Sequence, residues 1–160
     1  MHIEASEADR DNVREWLDRF ATCVRSRDFE GGRVLFAPAV HAFGTRVESA
    51  AGLQSLHDEQ WHPTWLRTRG FQFDATSLRV WMSPDGHQAV VTTLWASEGV
   101  DSTADWPSQT PYERHGRATI VLQRQRGGSW LAVHTHFSLT PEVEKGLRPE
   151  GLRRAWGLGA

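Results

Sequence analysis

Residues 116–139, GRATIVLQRQRGGSWLAVHTHFSL, contain the pattern that decides the fold. Two runs in which polar and apolar residues alternate, both containing β-branched residues, flank the segment RGGS. This segment is typical of a turn between antiparallel strands. Closing the hairpin at this turn places Gln125 near Trp130 and pairs Ile120 with Thr135. The sequence therefore predicts a β-hairpin that other antiparallel strands can extend.

The predicted hairpin has an inner and an outer face, because successive side chains of a strand point to opposite sides. Alternation alone directs His134 and His136 away from the core, and a twist or bulge near Thr135 would exchange the two faces. The outer face comprises Arg117, Thr119, His134, His136 and Ser138. The inner face, which should meet the helices, comprises Ile120, Leu122, Leu131, Val133, Thr135 and Phe137.

The segment 70–83, GFQFDATSLRVWMS, reads as a strand that changes phase. Its apolar residues share one parity up to Phe73 and the other parity from Leu78 onward. One inserted residue reconciles them, so we expect a β-bulge and a bend near Ala75–Ser77. With SPDG as the turn and residues 87–97 as the return strand, the opposed pairs are Val80–Ala89, Leu78–Val91, Thr76–Thr93 and Asp74–Trp95.

Helical patterns occupy the first part of the chain. Residues 6–27 predict a helix that Ser6 caps, with apolar residues at three- and four-residue spacing. Residues 29–39 predict a short second helix or turn, residues 40–45 a short strand, and residues 49–62 a third helix that Pro63 ends or kinks. Helices followed by four long antiparallel strands predict an α+β domain, in which a curved antiparallel sheet packs on three helices.

The remaining segments complete the predicted organisation. Residues 99–114 are rich in Ser, Thr, Asp and Pro and are assigned to a loop. One domain spans residues 1–140. The tail, residues 141–160, is weakly helical at best and either lies over that domain or is mobile.

Composition excludes several classes of protein. A chain of 160 residues fits one domain, and its net charge of −2 is spread over both signs, so no nucleic-acid surface is predicted. No apolar run approaches the ~20 residues of a membrane span or the apolar part of a signal peptide. A single cysteine, Cys23, cannot form an internal disulfide and fits a cytoplasmic location.

Three motifs carry a family resemblance: FGT after the short strand, QWHPTW at the end of the third helix, and the hairpin 116–139. Together they resemble the SnoaL-like branch of the nuclear transport factor 2-like superfamily over roughly residues 9–140. The resemblance implies a cone of curved sheet and three helices, usually a homodimer, with a pocket at the open end. That superfamily includes ketosteroid isomerases, cyclases, dehydratases, hydrolases, the calmodulin-dependent kinase II association domain and non-catalytic modules, so the fold transfers and the activity does not.

The pair His134 and His136 permits three interpretations. Both can be structural, bonded to Thr119 and Ser138 on the outer face or buried at a dimer interface. They can act as acid and base, with Arg117 holding an anionic substrate or enolate. They can form half of a metal site, but zinc needs further ligands and spacing selects none from Asp74, Glu98, Glu113 and His115, so no metal is predicted.

The inner side of the sheet is a candidate pocket. An inward Asp74 beside Trp95 would be desolvated, which raises the pKa of a carboxyl and suits a general base; the alternative is a solvated Asp at the bulge. Trp61 and Trp65 form either core or an aromatic lid near the mouth. The predicted ligand-binding residues are Phe36, His41, Trp61, Trp65, Trp95, Thr135 and Phe137.

Two functions are compatible with these residues. The first is a cofactor-free isomerase, cyclase or dehydratase that moves protons on a small unsaturated or carbonyl substrate through His134, His136 or Asp74, assisted by Arg117. The second is a non-catalytic ligand-binding or dimerisation module. The only tyrosine, Tyr112, lies in the predicted loop, so steroid isomerisation through a tyrosine oxyanion hole is not predicted.

Overall fold

The structure, a computed structural model, describes residues 3–100 and 111–141. Within these ranges a curved sheet wraps around one long helix, which confirms the predicted α+β class. The helices are α1 (Glu7–Ser26), α2 (Phe29–Arg33), α3 (Leu53–Leu56) and α4 (His62–Trp65). The strands are β1 (Ile3–Glu4), β2 (Phe36–Phe43), β3 (Ala50–Ala51), β4 (Thr68–Phe73), β5 (Arg79–Met82), β6 (Gln88–Gly99), β7 (Tyr112–Arg124) and β8 (Trp130–Leu139).

Helix α1 begins and ends where its sequence dictates. The Ser6 side chain accepts a hydrogen bond from the Asp9 amide, which satisfies one of the free amides of the first turn. At the other end Arg27 has a left-handed backbone with φ of 56°, and its amide donates to the carbonyls of Cys23 and Val24. The apolar stripe between these ends is buried, so the first predicted helix is confirmed.

The third predicted helix is interrupted rather than regular. Residues His57–Trp61 form a π-helical turn between α3 and α4, and the His62 amide donates to the His57 carbonyl. Pro63 lies two residues after this turn; it has no N–H and its ring crowds the carbonyl four residues before it. The wider turn relieves that crowding and lets the helix continue to Trp65, so Pro63 distorts the helix without ending it.

The sheet is antiparallel except at one place. Its strand order is β1-β5-β6-β7-β8-β2-β3, and β4 also pairs with β6. The four long strands pair in antiparallel fashion as predicted, but β2 runs parallel to β8. No local pattern predicts this pairing, because β2 and β8 lie far apart along the chain and no turn connects them. The parallel strand brings His41 next to His134.

The predicted hairpin register is confirmed for part of its length. Arg117 pairs with Ser138 and Val121 with His134, but Leu122 pairs with Ala132 instead of the predicted Val133. A register shift between Val121 and Leu122 adds one residue to β8 and exchanges its faces beyond that point. The prediction that Leu131 and Val133 face the core is therefore wrong: Trp130 and Ala132 are buried there, while Leu131 and Val133 are half-buried.

The predicted change in side-chain alternation before β5 is confirmed, but its local structure is not the predicted one. A 3₁₀ turn, Ala75–Ser77, separates β4 from β5 in place of a β-bulge. The predicted pairs are wrong by one or two positions, because Val80 pairs with Val91 and Phe73 with Trp95. The Ser83 amide donates to the Gln88 carbonyl, so the turn is longer than SPDG and the register moves.

An aromatic core fills the space between α1 and the sheet. Phe20 lies at its centre, fully enclosed by the rings of α1, β2, α4, β4 and β8. Cys23 packs against this core and is partly buried. The rings within 6.5 Å of Phe20 belong to Trp16, Phe36, Trp61, Trp65, Phe71, Phe73 and Phe137.

Two predicted segments, the loop and the tail, extend beyond the residues that the structure describes. Strands β6 and β7 extend into the predicted loop as far as Gly99 and back to Tyr112, and residues 101–110 lie outside the described part. The predicted tail also lies outside it, apart from Pro141. Across residues 3–100 and 111–141, no helix is long and apolar enough to cross a bilayer.

A candidate ligand cavity inside the curved sheet

A cavity of about 60 Å³ lies between α1, the α3–α4 segment and the inner face of the sheet. Its wall is mostly aromatic at one side and polar at the other. The apolar lining residues are Phe20, Val24, Phe36, Phe43, Trp61, Trp65, Phe71, Trp95 and Phe137. The polar lining residues are Thr45, Gln60, Thr64, Thr68, Ser97, Arg114 and Thr135, together with the backbone of Gly44.

The rings of the aromatic wall pack on one another. Trp61 stacks on Trp65 with ring centroids 4.7 Å apart, and Phe36 meets Trp61 edge-on at 4.8 Å. On the opposite side the Trp95 indole donates to the Arg117 carbonyl at 3.2 Å and crosses Gly116. Such aromatic packing adds stabilisation beyond buried area and holds each ring in place.

The polar side is organised by Gln60, which is buried in the π-helical turn. Its Oε1 accepts the amides of Arg46 at 2.8 Å and Val47 at 3.2 Å, which closes the loop after β2. Its Nε2 donates to Thr45 at 3.0 Å and Thr64 at 3.3 Å. All four hydrogen-bonding positions of the amide are used for structure, so Gln60 fixes the rim of the cavity.

Arg114 brings a positive charge to this rim. Its Nη2 donates to Thr45 Oγ1 at 3.1 Å, and its guanidinium lies 5.7 Å from the centre of the Trp95 ring. Burial lowers the pKa of the Arg114 guanidinium, nearby Tyr112 acts in the opposite direction, and nearby Arg46 lowers it further. The group stays protonated at neutral pH, because an arginine pKa starts so high.

Ser97 lies beside Arg114 on the neighbouring strand, as its partner in the β6–β7 register. Its side chain is 6% exposed, and its Oγ makes no hydrogen bond within the described part of the chain. A buried hydroxyl without a partner is unusual in a folded protein and points to a missing acceptor or donor.

The predicted catalytic histidines lie outside this cavity. His134 and His136 are on the outer face of β8, where the ring of Phe43 meets both edge-on. His41 Nδ1 lies 3.2 Å from His134 Nδ1, and the two rings stack. Burial, followed by the neighbouring His41, lowers the pKa of His134. These residues form an outer histidine cluster, defined as His41, Phe43, His134 and His136.

The other two predicted catalytic residues are also apart from the cavity. Arg117 is exposed on the outer face and donates to Ser138 Oγ at 3.3 Å. Asp74 caps the 3₁₀ turn, where its Oδ1 accepts from the amide and hydroxyl of Thr76. It lines a separate pocket of about 130 Å³ that shares only Trp95 with the cavity.

The structure brings six of the seven predicted ligand-binding residues together at the cavity and leaves His41 outside. Their role in binding stays a prediction. Arg114, Ser97, Gln60 and Thr45 were missed by the sequence reasoning. Arg114 was assigned to the loop before the hairpin; extending the alternation of β7 by two residues beyond Gly116 would have placed it on the inner face.

Metal ligation finds no support among the described residues, because no three His, Cys, Asp or Glu side chains there are arranged to hold an ion. Two of the candidate third ligands have other contacts. Glu98 pairs with Arg69 at 2.7 Å, and Glu113 lies 3.4 Å from His115 Nε2.

Comparison with known proteins agrees with this architecture. A model of the SnoaL-like domain family matches residues 13–142. A proposed dehydratase of the nuclear transport factor 2-like family from Streptomyces avermitilis is 20% identical, with a TM-score of 0.69 over 86% of this chain and 99% of the other. No functionally curated protein matches the sequence significantly.

Two further solved structures share the fold at similar distance. A proposed calcium/calmodulin-dependent protein kinase II association domain from Xanthomonas campestris is 18% identical, with a TM-score of 0.67 over 86% of this chain and 91% of the other. A proposed ketosteroid isomerase from Shewanella frigidimarina is 14% identical, with a TM-score of 0.62 over 79% and 94%. At these identities the likeness concerns the fold alone.

Proposed function

Because the chain belongs to the SnoaL-like domain family, we propose that it binds a small organic molecule in the aromatic cavity. The supporting observation is the composition of the wall, which combines packed aromatic rings with a few polar groups at one end. Ligand sites in proteins commonly have this character: an apolar surface supplies affinity, and a few polar groups fix the orientation.

The size of the cavity limits the ligand. Sites for drug-sized molecules measure roughly 300–1,000 Å³, whereas this cavity measures about 60 Å³. A ligand of one or two rings enters only if rings at the rim move outward.

Naphthalene is a suitable probe, and tryptophan fluorescence is a direct readout because the indoles of Trp61, Trp65 and Trp95 line the cavity. We expect naphthalene to quench the fluorescence of the native protein, and Phe137→Ala to bind it more tightly because the cavity is larger. Leu131→Ala, a matched truncation of a half-buried residue of the same strand outside the lining, should bind like the native protein. Binding by neither the native protein nor Phe137→Ala contradicts the proposal.

The second candidate is a cofactor-free isomerase, cyclase or dehydratase. It is favoured by the meeting of two hydrogen-bond donors, Arg114 and Ser97, at one wall, because donors so placed stabilise a developing oxyanion. Proton transfer needs a base as well, and the described lining residues include no carboxylate, imidazole, thiol or amine. This distribution favours binding over acid–base catalysis.

Hydrogen–deuterium exchange separates these candidates. A ketone with acidic α-protons, incubated with the protein in D₂O and followed by NMR, should exchange no faster than in buffer if the protein only binds. Faster exchange that is lost in Arg114→Gln supports the enzyme. Faster exchange lost in His134→Gln, His136→Gln or Asp74→Asn would restore the catalytic roles first predicted for those residues.

We also propose that the outer histidine cluster faces a second copy of the chain. It presents an exposed phenylalanine ring among three imidazoles on an open sheet surface, and patches of this kind commonly mark interfaces. Light scattering coupled to size exclusion measures the molar mass directly. We expect a dimer for the native chain and a monomer for Phe43→Ser, and a monomeric native chain contradicts the proposal.

A further inference from the structure

We propose that the ligand of this cavity is a small organic carboxylate, whose anionic group binds between Arg114 and Ser97 while its unsaturated body lies against the aromatic wall. The inference rests on the proposed binding function and names the class of molecule bound. It follows from three observations at the polar end of the cavity: the position of a positive charge, the absence of a carboxylate partner for it among the described residues, and a buried hydroxyl that makes no hydrogen bond to those residues.

The position of the charge comes from the register of β6 and β7. Ser97 and Arg114 are directly paired, so their side chains lie on one face of the sheet and line the cavity together. Arg114 packs over the Trp95 ring, which holds the guanidinium at the boundary between the polar and aromatic parts. A carboxylate bound there would keep its carbon skeleton against Trp95.

The charge lacks an anionic partner in the described part of the protein. No carboxylate of residues 3–100 or 111–141 lies within ion-pair distance of Arg114, whereas Arg69 and Arg124 each have one. Its only hydrogen bond to described residues goes to Thr45. A guanidinium has five N–H donors and pairs with a carboxylate through two parallel bonds, so Arg114, a lining residue, keeps enough donors to bind one.

The neighbourhood strengthens this preference for an anion. Arg46, an exposed residue of the loop after β2, is close enough to lower the pKa of Arg114 and so adds positive charge nearby. Burying a positive charge without a partner is costly, and an anionic ligand offsets that cost.

The hydroxyl of Ser97 supplies the second donor. It is buried and makes no hydrogen bond within the described part of the chain. A carboxylate oxygen at Arg114 would lie within reach of the neighbouring strand, where the Ser97 O–H can donate to it. A bound carboxylate would give this hydroxyl the acceptor that residues 3–100 and 111–141 do not supply.

The ligand is small. At about 60 Å³ the cavity is far smaller than the roughly 300–1,000 Å³ of sites for drug-sized molecules, so we infer a ligand of one ring or two fused rings rather than a four-ring skeleton. Single-ring aromatic acids, short unsaturated acids and naphthoic acids fit this description.

Matched acid and amide pairs test the inference because they differ chiefly in charge. Benzoate with benzamide, cinnamate with cinnamamide, and 2-naphthoate with 2-naphthamide are titrated into the native full-length chain by calorimetry. We expect each acid that binds to do so about 10- to 100-fold more tightly than its amide, which corresponds to one charge-assisted contact.

Variants at the two donors locate the effect. Arg114→Gln should abolish the preference for the acid and keep amide binding. Arg114→Lys should retain part of the preference for the acid, because lysine keeps the charge but lacks the bidentate geometry. Arg117→Gln, on the outer face, should change nothing. Ser97→Ala should weaken the acid about 3- to 10-fold without lowering the melting temperature, which separates a binding role from a structural one.

The outcomes distinguish this inference from the proposed function. Equal binding of acids and amides, or a preference that survives in Arg114→Gln, overturns the carboxylate and leaves the cavity as a binding site. Failure of every acid, every amide and naphthalene to bind overturns both.

Discussion

His41 and His134 lie side by side on parallel strands, with their Nδ1 atoms 3.2 Å apart and their rings stacked. At this distance one nitrogen must carry the hydrogen and the other must accept it, so the contact requires at least one neutral imidazole. Protonation of both rings would place two positive charges and two N–H groups against each other. The stability of the folded protein should therefore depend on pH through this pair.

Stability should fall as the pH drops below the ordinary histidine range. The pKa of His134 is lowered in the folded protein, first by burial and then by His41, so the unfolded chain takes up this proton at higher pH than the folded chain does. The stabilising contribution is complete above the unfolded pKa of 6.5 and is lost as the pH falls through the interval below it. Melting temperatures measured from pH 7.5 to 5.0 should show this loss.

His134→Gln should reduce that pH dependence. His87→Gln is the matched control, because His87 is exposed and lies outside the outer histidine cluster. An equally steep decline in the native protein and His134→Gln would show that other groups govern the effect.

Gly116→Ala should destabilise the protein by about 1–3 kcal/mol, the usual cost of forcing extra volume into a packed site. A Cβ at this position would overlap both the Trp95 indole and the Ser138 carbonyl oxygen. Urea denaturation followed by circular dichroism measures the change. Gln123→Ala, exposed on the same strand, should shift stability by no more than about 0.5 kcal/mol; a similarly small effect at Gly116 would mean that Trp95 moves freely.

Phe20→Ala should cost about 3–5 kcal/mol, because the truncation removes the ring at the centre of the aromatic core. If that variant does not fold, Phe20→Leu provides a milder test with the same direction. Val34→Ala, at a position that is 64% exposed, is the control and should be nearly neutral. A Phe20→Ala protein as stable as the control contradicts the central position of this ring.

Gln60→Ala should loosen the loop after β2, since it leaves the amides of Arg46 and Val47 without their acceptor. The expected cost is about 1–3 kcal/mol, the penalty for unpairing part-buried hydrogen-bonding groups. Amide hydrogen exchange reports the change locally, with faster exchange at those two residues. Gln60→Glu retains an acceptor oxygen and should keep them protected, and Gln54→Ala, on the exposed helix surface, should leave them unchanged.

Much of the inner surface could be predicted because strands and helices have fixed periods. Thr135 and Phe137 were placed inward by alternation, and both line the cavity. The stripe of α1 was placed by its three- and four-residue spacing, and it is buried. The same alternation predicts that His134 and His136 face outward, where the structure places both.

The polar end of the cavity could not be predicted for a physical reason. Arg114 belongs to a strand whose first residues follow a Pro- and Ser-rich segment, so composition assigned it to a loop. The choice between Arg114 and Arg117 depends only on parity, since residues three apart on a strand face opposite sides. Which of the two arginines faces the cavity can be predicted only if β7 is known to include Arg114.

The sequence by itself determined the order of the main helices and long strands, the α+β class and the aromatic character of the core, because these depend on local period and composition; the resemblance to the family came from three motifs. Tertiary structure alone decided the parallel pairing of β2 with β8, the bulge in β8 and the meeting of Ser97 with Arg114. Those features depend on contacts between segments far apart in the chain. A shift of one residue in register reverses which side chains face the cavity, and no local pattern fixes such a shift.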